Sequence, residues 1–281
     1  MASWKALVLF LIGVTGSQAG ICQDVFKNPN VTGPFFKVSE PQGIEVYFPK
    51  RDAKQEMFGI KIYKNQDLRR KNISCDLCVN TTNVEDGCFK IKSTTLAVKT
   101  GDVLKYVMLG KLSGSPTILV SNAQSTEFTD YVIPTNCNCR EPSGGYCSKA
   151  SNKITDYRPL FVFHESTGFA AYLPKATSTA VAGMQALKNA NFRRGDKQTL
   201  DLDIESFAER KGCFVYETTA PTLRFGLGDH LNFIVTGKKT SGEKIRTDPR
   251  KVFVHDYFIP VGCTCPSEPL KTVKAKPINL I

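Results

Sequence analysis

Three carboxylates alternate with apolar residues at Asp201-Leu202-Asp203-Ile204-Glu205. On an extended strand such alternation puts all three acids on one face and Leu202 and Ile204 on the other. Paired carboxylates are what glycoside hydrolysis needs, one as acid and one as base or nucleophile. The other chemistry-bearing residues are sparse. His164, His230 and His255 have no metal-ligand spacing; the last two stand beside Asp229 and Asp256, and all three read as surface or turn residues. Cys75-x-x-Cys78 has half of a zinc-site pattern, without the second pair that would complete four ligands. There is no Gly-rich phosphate loop and no Gly-x-Ser-x-Gly elbow.

The elements that must position these residues come twice. Cys22, Cys88 and Cys137-x-Cys139 recur at nearly the same intervals as Cys147, Cys213 and Cys263-x-Cys265. Between them, Gly43-Ile44-Glu45-Val46-Tyr47-Phe48-Pro49-Lys50 matches Gly168-Phe169-Ala170-Ala171-Tyr172-Leu173-Pro174-Lys175. Lys64-Asn65 matches Lys188-Asn189, Gly101-Asp102 matches Gly228-Asp229, and Asp130-Tyr131-Val132-Ile133-Pro134 matches Asp256-Tyr257-Phe258-Ile259-Pro260. A tandem repeat accounts for this ordered run. It also weighs against catalysis: the slot of the three carboxylates reads Asp76-Leu77-Cys78-Val79-Asn80 in the first repeat, so the slot is a module strand and the acids are not shared. No catalytic residue, metal or cofactor is assigned, and the chain reads as a non-enzyme.

Short runs rich in Val, Ile, Phe, Tyr and Thr, separated by Gly and Pro, predict strands at Ile44–Phe48, Phe58–Tyr63, Leu104–Leu109 and Leu231–Val235, with hairpin turns at Gly101-Asp102 and Gly228-Asp229. Thr179 to Asn191 looks helix-compatible, but its alignment with Phe58 to Asn65 makes it a strand. The fold class is therefore all-β, two tandem antiparallel β-sandwich domains. The expected layout is a signal peptide over residues 1–19, a first module over 20–140, a Pro/Ser/Gly linker over 141–146, a second module over 147–265 and a basic tail over 266–281. Ten cysteines, Cys22, Cys75, Cys78, Cys88, Cys137, Cys139, Cys147, Cys213, Cys263 and Cys265, are an even count in an oxidising compartment. They are expected to form disulfides within each module, with the pairing left open. Acceptor sequons at Asn30, Asn72 and Asn80 fit the same secreted, extracellular location.

No later segment is apolar and long enough to span a bilayer. The formal charge of +11 is spread along the chain and reads as a solvated basic surface, and the secretory route disfavours nucleic acid as a partner. The single tryptophan, Trp4, falls in the signal peptide, so no Trp stacking platform remains. Most of the 18 phenylalanines read as sandwich core.

The stretch Pro41 to Pro49, then Phe58 to Asn65, then Leu96-x-Val98-x-x-Gly101-Asp102-x-Leu104-x-Tyr106 resembles the amino-terminal module of insect β-1,3-glucan recognition proteins, also called the Gram-negative-bacteria-binding protein amino-terminal domain or family 39 carbohydrate-binding module. Asp76-Leu77 and Asp203-Ile204 fall near that family's Asp-Ile position, and both repeats resemble it. The family's Trp after that strand is replaced here by Cys88 and Cys213, and its aromatic strand by Lys105-Tyr106-Val107-Met108 and Asn232-Phe233-Ile234-Val235. The resemblance implies an immunoglobulin-like sandwich and recognition of β-1,3-glucan or a similar microbial polysaccharide in innate immunity. Candidate contacts are the groups flanking the matched strands, Lys50, Arg51, Asp52 and Lys64 in the first repeat and Lys175 and Lys188 in the second. The rival readings are an extracellular structural or protein-interaction role without sugar binding, and binding of anionic glycans through the basic surface. The oligomeric state is left open.

Overall fold

The computed structural model describes residues 21–27, 33–70, 73–135, 137–139, 146–147, 158–165, 167–192, 202–204, 207–210, 212–220 and 223–265. The expected signal peptide, most of the linker, the basic tail, Asn30, Asn72, Asp201 and Glu205 lie outside these residues. The first repeat supplies a short helix α1 (Ile21–Phe26) and strands β1 (Phe35–Ser39), β2 (Gly43–Pro49), β3 (Gln55–Lys64), β4 (Leu77–Thr81), β5 (Val84–Glu85), β6 (Cys88–Ser93), β7 (Val103–Leu112), β8 (Ile118–Val120), β9 (Gln124–Glu127) and β10 (Tyr131–Ile133). The second supplies β11 (Leu160–His164), β12 (Gly168–Pro174), β13 (Thr179–Lys188), β14 (Leu202–Ile204), β15 (Ala208–Arg210), β16 (Cys213–Thr218), β17 (His230–Lys239), β18 (Lys244–Arg246), β19 (Arg250–Phe253) and β20 (Tyr257–Ile259). The fold is all-β as expected, and Thr179–Lys188 is a strand despite its helical composition.

Each repeat builds its own five-stranded sheet, around β3 and β7 in the first and around β13 and β17 in the second. Both repeats then share one ten-stranded sheet, in the order β15-β16-β12-β11-β10-β20-β1-β2-β6-β5. At its centre the two repeats exchange their last strands. The last strand of the first repeat, β10, lies parallel to the first strand of the second, β11, with Tyr131 opposite Val162. Reciprocally, β20 lies parallel to β1, with Tyr257 opposite Lys37. The exchanged strands meet antiparallel at Val132 and Phe258, two residues that the repeat itself aligns, so a pseudo-two-fold axis passes between them.

The exchange is held by burial and by paired carboxylates. Phe258 is 1% exposed and joins the core of the first repeat with Phe36, Val38 and Phe128, while Val132 joins the core of the second with Phe161 and Phe163. Asp256 accepts the Phe36 N–H at 2.8 Å, and its repeat mate Asp130 accepts the Phe161 N–H at 3.0 Å. A buried backbone donor left without such an acceptor costs roughly 1–3 kcal/mol, so each Asp secures the strand that follows it onto the opposite repeat.

Two disulfides lock the same arrangement and correct the expectation that bridges stay within a module. Cys22–Cys88 and Cys147–Cys213 do stay within a repeat, and Cys75 joins Cys78, but Cys137 joins Cys265 and Cys139 joins Cys263. The reason is geometric. Alternate residues of an extended segment share a face, and the exchange brings the two Cys-x-Cys segments together antiparallel across Asn138 and Thr264, which trade backbone hydrogen bonds of 2.8 and 2.7 Å.

The residues matched between repeats serve the fold. Gly43 and Gly168 open β2 and β12 at φ 132° and 143°, where a Cβ would stand 2.1 Å from the Ser93 carbonyl oxygen and 1.9 Å from that of Thr218. No other residue fits both the dihedral and the contact. The Gly-Asp pairs are not hairpin turns as expected: β6 and β7 belong to different sheets, so the chain crosses between layers there. The following Asp clamps that crossing. Asn65 donates to Asp102 at 2.7 Å and Asn189 to Asp229 at 2.6 Å, while each Asn side-chain oxygen accepts the N–H that opens the next strand.

Candidate functional site

Strand β19 and the residues after it alternate strictly. Val252 and Val254 are buried, whereas Lys251, Phe253 and His255 face outward. Phe253 is therefore a large ring left in water, 55% exposed, apart from the majority of phenylalanines expected in the core. Its neighbours are polar or basic. The His255 ring lies parallel to it with centroids 6.3 Å apart, the His230 ring is 5.8 Å away, and the Lys251 ammonium sits 5.1 Å from its centroid. His230 adds a buried Nε2 that finds no hydrogen-bond partner among the described residues.

Phe253 borders a cleft of about 240 Å³ between the repeats, lined on one side by Lys251, Phe253, His255 and Asp256 and on the other by Ser125, Thr126, Glu127, Thr129 and Asp130, with Arg158. The two walls are the same positions of the repeat carried to either side of the pseudo-two-fold axis. Ser125 stands for Lys251, Glu127 for Phe253 and Thr129 for His255, so one wall offers rings and cations and the other hydroxyls and a carboxylate. The cleft exists because the last strands cross over here.

Its floor is organised by the two aspartates of the exchange. Asp256 is held by the Phe36 N–H on one oxygen, and its other oxygen accepts from Thr126 Oγ1 at 3.3 Å and lies 3.0 Å from His255 Nδ1. The Asp256 hydrogen bond raises the His255 pKa above its ordinary value, against the burial that lowers it. Across the cleft, burial pushes the Asp130 carboxyl up, and the Arg158 guanidinium at 2.6 Å opposes that shift. With Glu127, Asp130 and Asp256 set against Lys251 and Arg158, and with His255 beside Asp256, the walls are close to charge balance. Such a site offers many donors and acceptors and one apolar plate without favouring an ion, which suits a neutral, hydroxyl-rich ligand with a flat apolar face.

None of the six sequence-derived contact residues lines this cleft. Lys64 donates to the Ala97 carbonyl at 2.8 Å and lies 3.9 Å from Asp102. Lys188 donates to the Arg224 carbonyl, pairs with Asp229 at 3.1 Å and sits 5.2 Å from the Phe225 ring centre. These two matched lysines brace the same crossing as the Asn-Asp clamps. Lys175 pairs with Glu209 at 2.7 Å. Lys50, Arg51 and Asp52 are exposed at the turn between β2 and β3, where Asp52 accepts the Lys54 N–H at 2.8 Å. Of the sequons, Asn80 stands on β4 opposite Gly59. A second cleft, of about 330 Å³, opens over Ala170 and Tyr172, but its Phe169 and Tyr172 rings are buried and give no exposed plate.

Phe253 has a signal in the sequence. It aligns with Glu127 of the first repeat, and a slot that takes a charged residue in one repeat faces water in both.

Residues 27–144 match the family model CBM39, described as a carbohydrate binding domain (family 32). The match covers the first repeat, including the whole Ser125–Asp130 wall of the cleft, and points to sugar binding. No curated protein sequence matches the chain. Among solved structures the chain is similar to the crystal structure of chicken CNTN1 FN1–FN3 domains, at 10% identity over 80% of this chain and 64% of that one, with a TM-score of 0.24. It is also similar to the selenomethionine-substituted chicken interferon gamma receptor alpha chain, at 8% identity over 80% of this chain and 97% of that one, with a TM-score of 0.24.

Proposed function

We propose that this chain is a secreted, non-enzymatic recognition protein that binds a neutral microbial polysaccharide, a β-1,3-glucan in the first instance, and serves innate immunity. The match of residues 27–144 to a carbohydrate binding domain carries the reading. The sequence resemblance of both repeats to the glucan-recognition module supports the choice of glucan and the reading of residues 20–140 and 147–265 as two such modules. The five disulfides support the extracellular location, and no helix among the described residues is long and apolar enough to cross a membrane.

The cleft on the pseudo-two-fold axis is the proposed sugar site. Phe253 supplies the plate for the apolar face of a pyranose ring in place of the absent Trp, and His255, Glu127 and Thr129 reach its hydroxyls. The near balance of charge in the cleft favours a neutral glycan over an anionic one, although the chain as a whole is basic.

The test is retention of the secreted protein on insoluble β-1,3-glucan beside cellulose, chitin and heparin resin, at low salt and at about 1 M, where the screening length falls to about 3 Å. Salt-resistant retention on β-1,3-glucan is expected. Retention on heparin alone, lost in salt, would replace this reading with anionic-glycan binding, and retention on none would leave a protein partner in its place.

A further inference from the structure

The two repeats treat one sheet edge in opposite ways. In the second repeat the edge strand β18 pairs with β17 through Lys238–Lys244, Gly237–Ile245 and Thr236–Arg246. In the first, β8 pairs with β7 through Lys111–Ile118, Gly110–Leu119 and Leu109–Val120. Position for position, Lys244-Ile245-Arg246 is replaced by Ile118-Leu119-Val120.

Charged residues on an edge strand keep it from pairing with another chain, and apolar ones remove that guard. Ile245 is 9% exposed, whereas Ile118, Leu119 and Val120 are 42%, 56% and 64% exposed. The backbone is also open to pairing. Antiparallel ladders alternate between bonded and non-bonded pairs, and Ser121 N–H donates to the Met108 carbonyl at 2.9 Å. That phase makes Gly110–Leu119 a bonded pair and turns the N–H and C=O of Ile118 and Val120 away from β7, toward the open edge.

We infer that β8 is a self-association edge, and that its occupant is β8 of a second copy of this chain, laid antiparallel across a two-fold axis near Leu119. The electrostatics select this occupant. A chain of net charge +11 repels its own kind over most of its surface, yet no charged residue occurs from Leu112 to Thr126. This segment is where two copies approach at least cost, and it offers an acidic partner no cation. An isologous contact of this kind closes on itself and yields a dimer rather than a filament. The two small sheets then join into one continuous sheet.

The test is sedimentation velocity of the full secreted chain from about 1 to about 100 µM, where mass action moves a weak dimer through its transition. The wild type is compared with Ile118→Lys/Val120→Arg, which gives β8 the residues that β18 already carries. The wild type is expected to rise toward twice the monomer mass, and the variant to stay monomeric with a dissociation constant at least ~10-fold higher. A wild type that remains monomeric throughout, or a variant that dimerises equally well, would overturn the inference. An unchanged unfolding midpoint shows the variant to be folded; if it falls, Val120→Lys alone repeats the comparison.

Discussion

The strand exchange makes an aromatic contact between residues of different repeats, and that contact can be measured. Phe258 of the second repeat is 1% exposed and stands in the first core, its ring 5.3 Å from Phe128 in an edge-on arrangement and 4.8 Å from Tyr131. Truncating a buried Phe to Ala costs about 3–5 kcal/mol, and for a chain of this size each kcal/mol lowers Tm by roughly 2–4 °C. Phe258→Ala should therefore melt about 6–20 °C below the wild type. An aromatic pair adds about 0.5–1.5 kcal/mol beyond its burial. A double-mutant cycle with Phe128→Ala should therefore return a coupling of that size. The assay is guanidinium unfolding with the disulfides intact, followed by circular dichroism because the only tryptophan is Trp4. Were β20 seated on its own repeat, Phe258 would lie beside Val254, the repeat mate of Phe128, and not beside Phe128. Additivity of the two truncations within about 0.3–0.5 kcal/mol, the scatter of independent sites, would refute the exchange.

Two further outcomes follow from the same geometry. Proteolytic cutting within 141–145 should leave one species under non-reducing conditions and two after reduction, because Cys137–Cys265 and Cys139–Cys263 span the cut. Two species before reduction would contradict the bridges. His255, its pKa raised by Asp256, should stabilise the fold below the ordinary histidine value of 6.5 and lose that contribution as pH rises through the higher folded value. The stability gap between wild type and His255→Gln should therefore be widest below pH 6.5 and narrow as the pH rises above it. With the His255 side chain 52% exposed, the gap should stay below about 1 kcal/mol. A gap that widens with pH would reverse the assignment.

Much of the fold was legible because the sequence states it twice. The period-2 alternation in Ile44–Phe48 and Leu104–Leu109 needs only a half-buried strand to explain it, and the alignment of Thr179–Lys188 with β3 overrode its helical composition. The exchange was not legible. A repeat is symmetric under swapping its last strands: Val132 beside Phe163 and Phe258 beside Val38 satisfy the same apolar pattern as the unexchanged pairing, and an even number of cysteines in each repeat permits bridges within or between repeats. Only three-dimensional proximity separates the two arrangements. The matched lysines misled for a related reason. Lys64 and Lys188 agree between repeats because each braces a crossing between sheets, and agreement between repeats reports what the fold needs. The candidate site lies where the repeats differ, at Glu127 against Phe253 and Thr129 against His255, and difference was the signal to follow.

The proposed sugar site, the axial cleft built by both repeats, is tested by calorimetric titration of a soluble β-1,3-glucan into the wild type and Phe253→Ala. Because Phe253 is mostly exposed, its truncation should leave the unfolding midpoint nearly unchanged. Saturable binding by the wild type is expected, with an affinity at least ~10-fold weaker in the variant, a loss of about 1.4 kcal/mol. Equal affinity of the two proteins would contradict this site by placing the glucan elsewhere on the molecule.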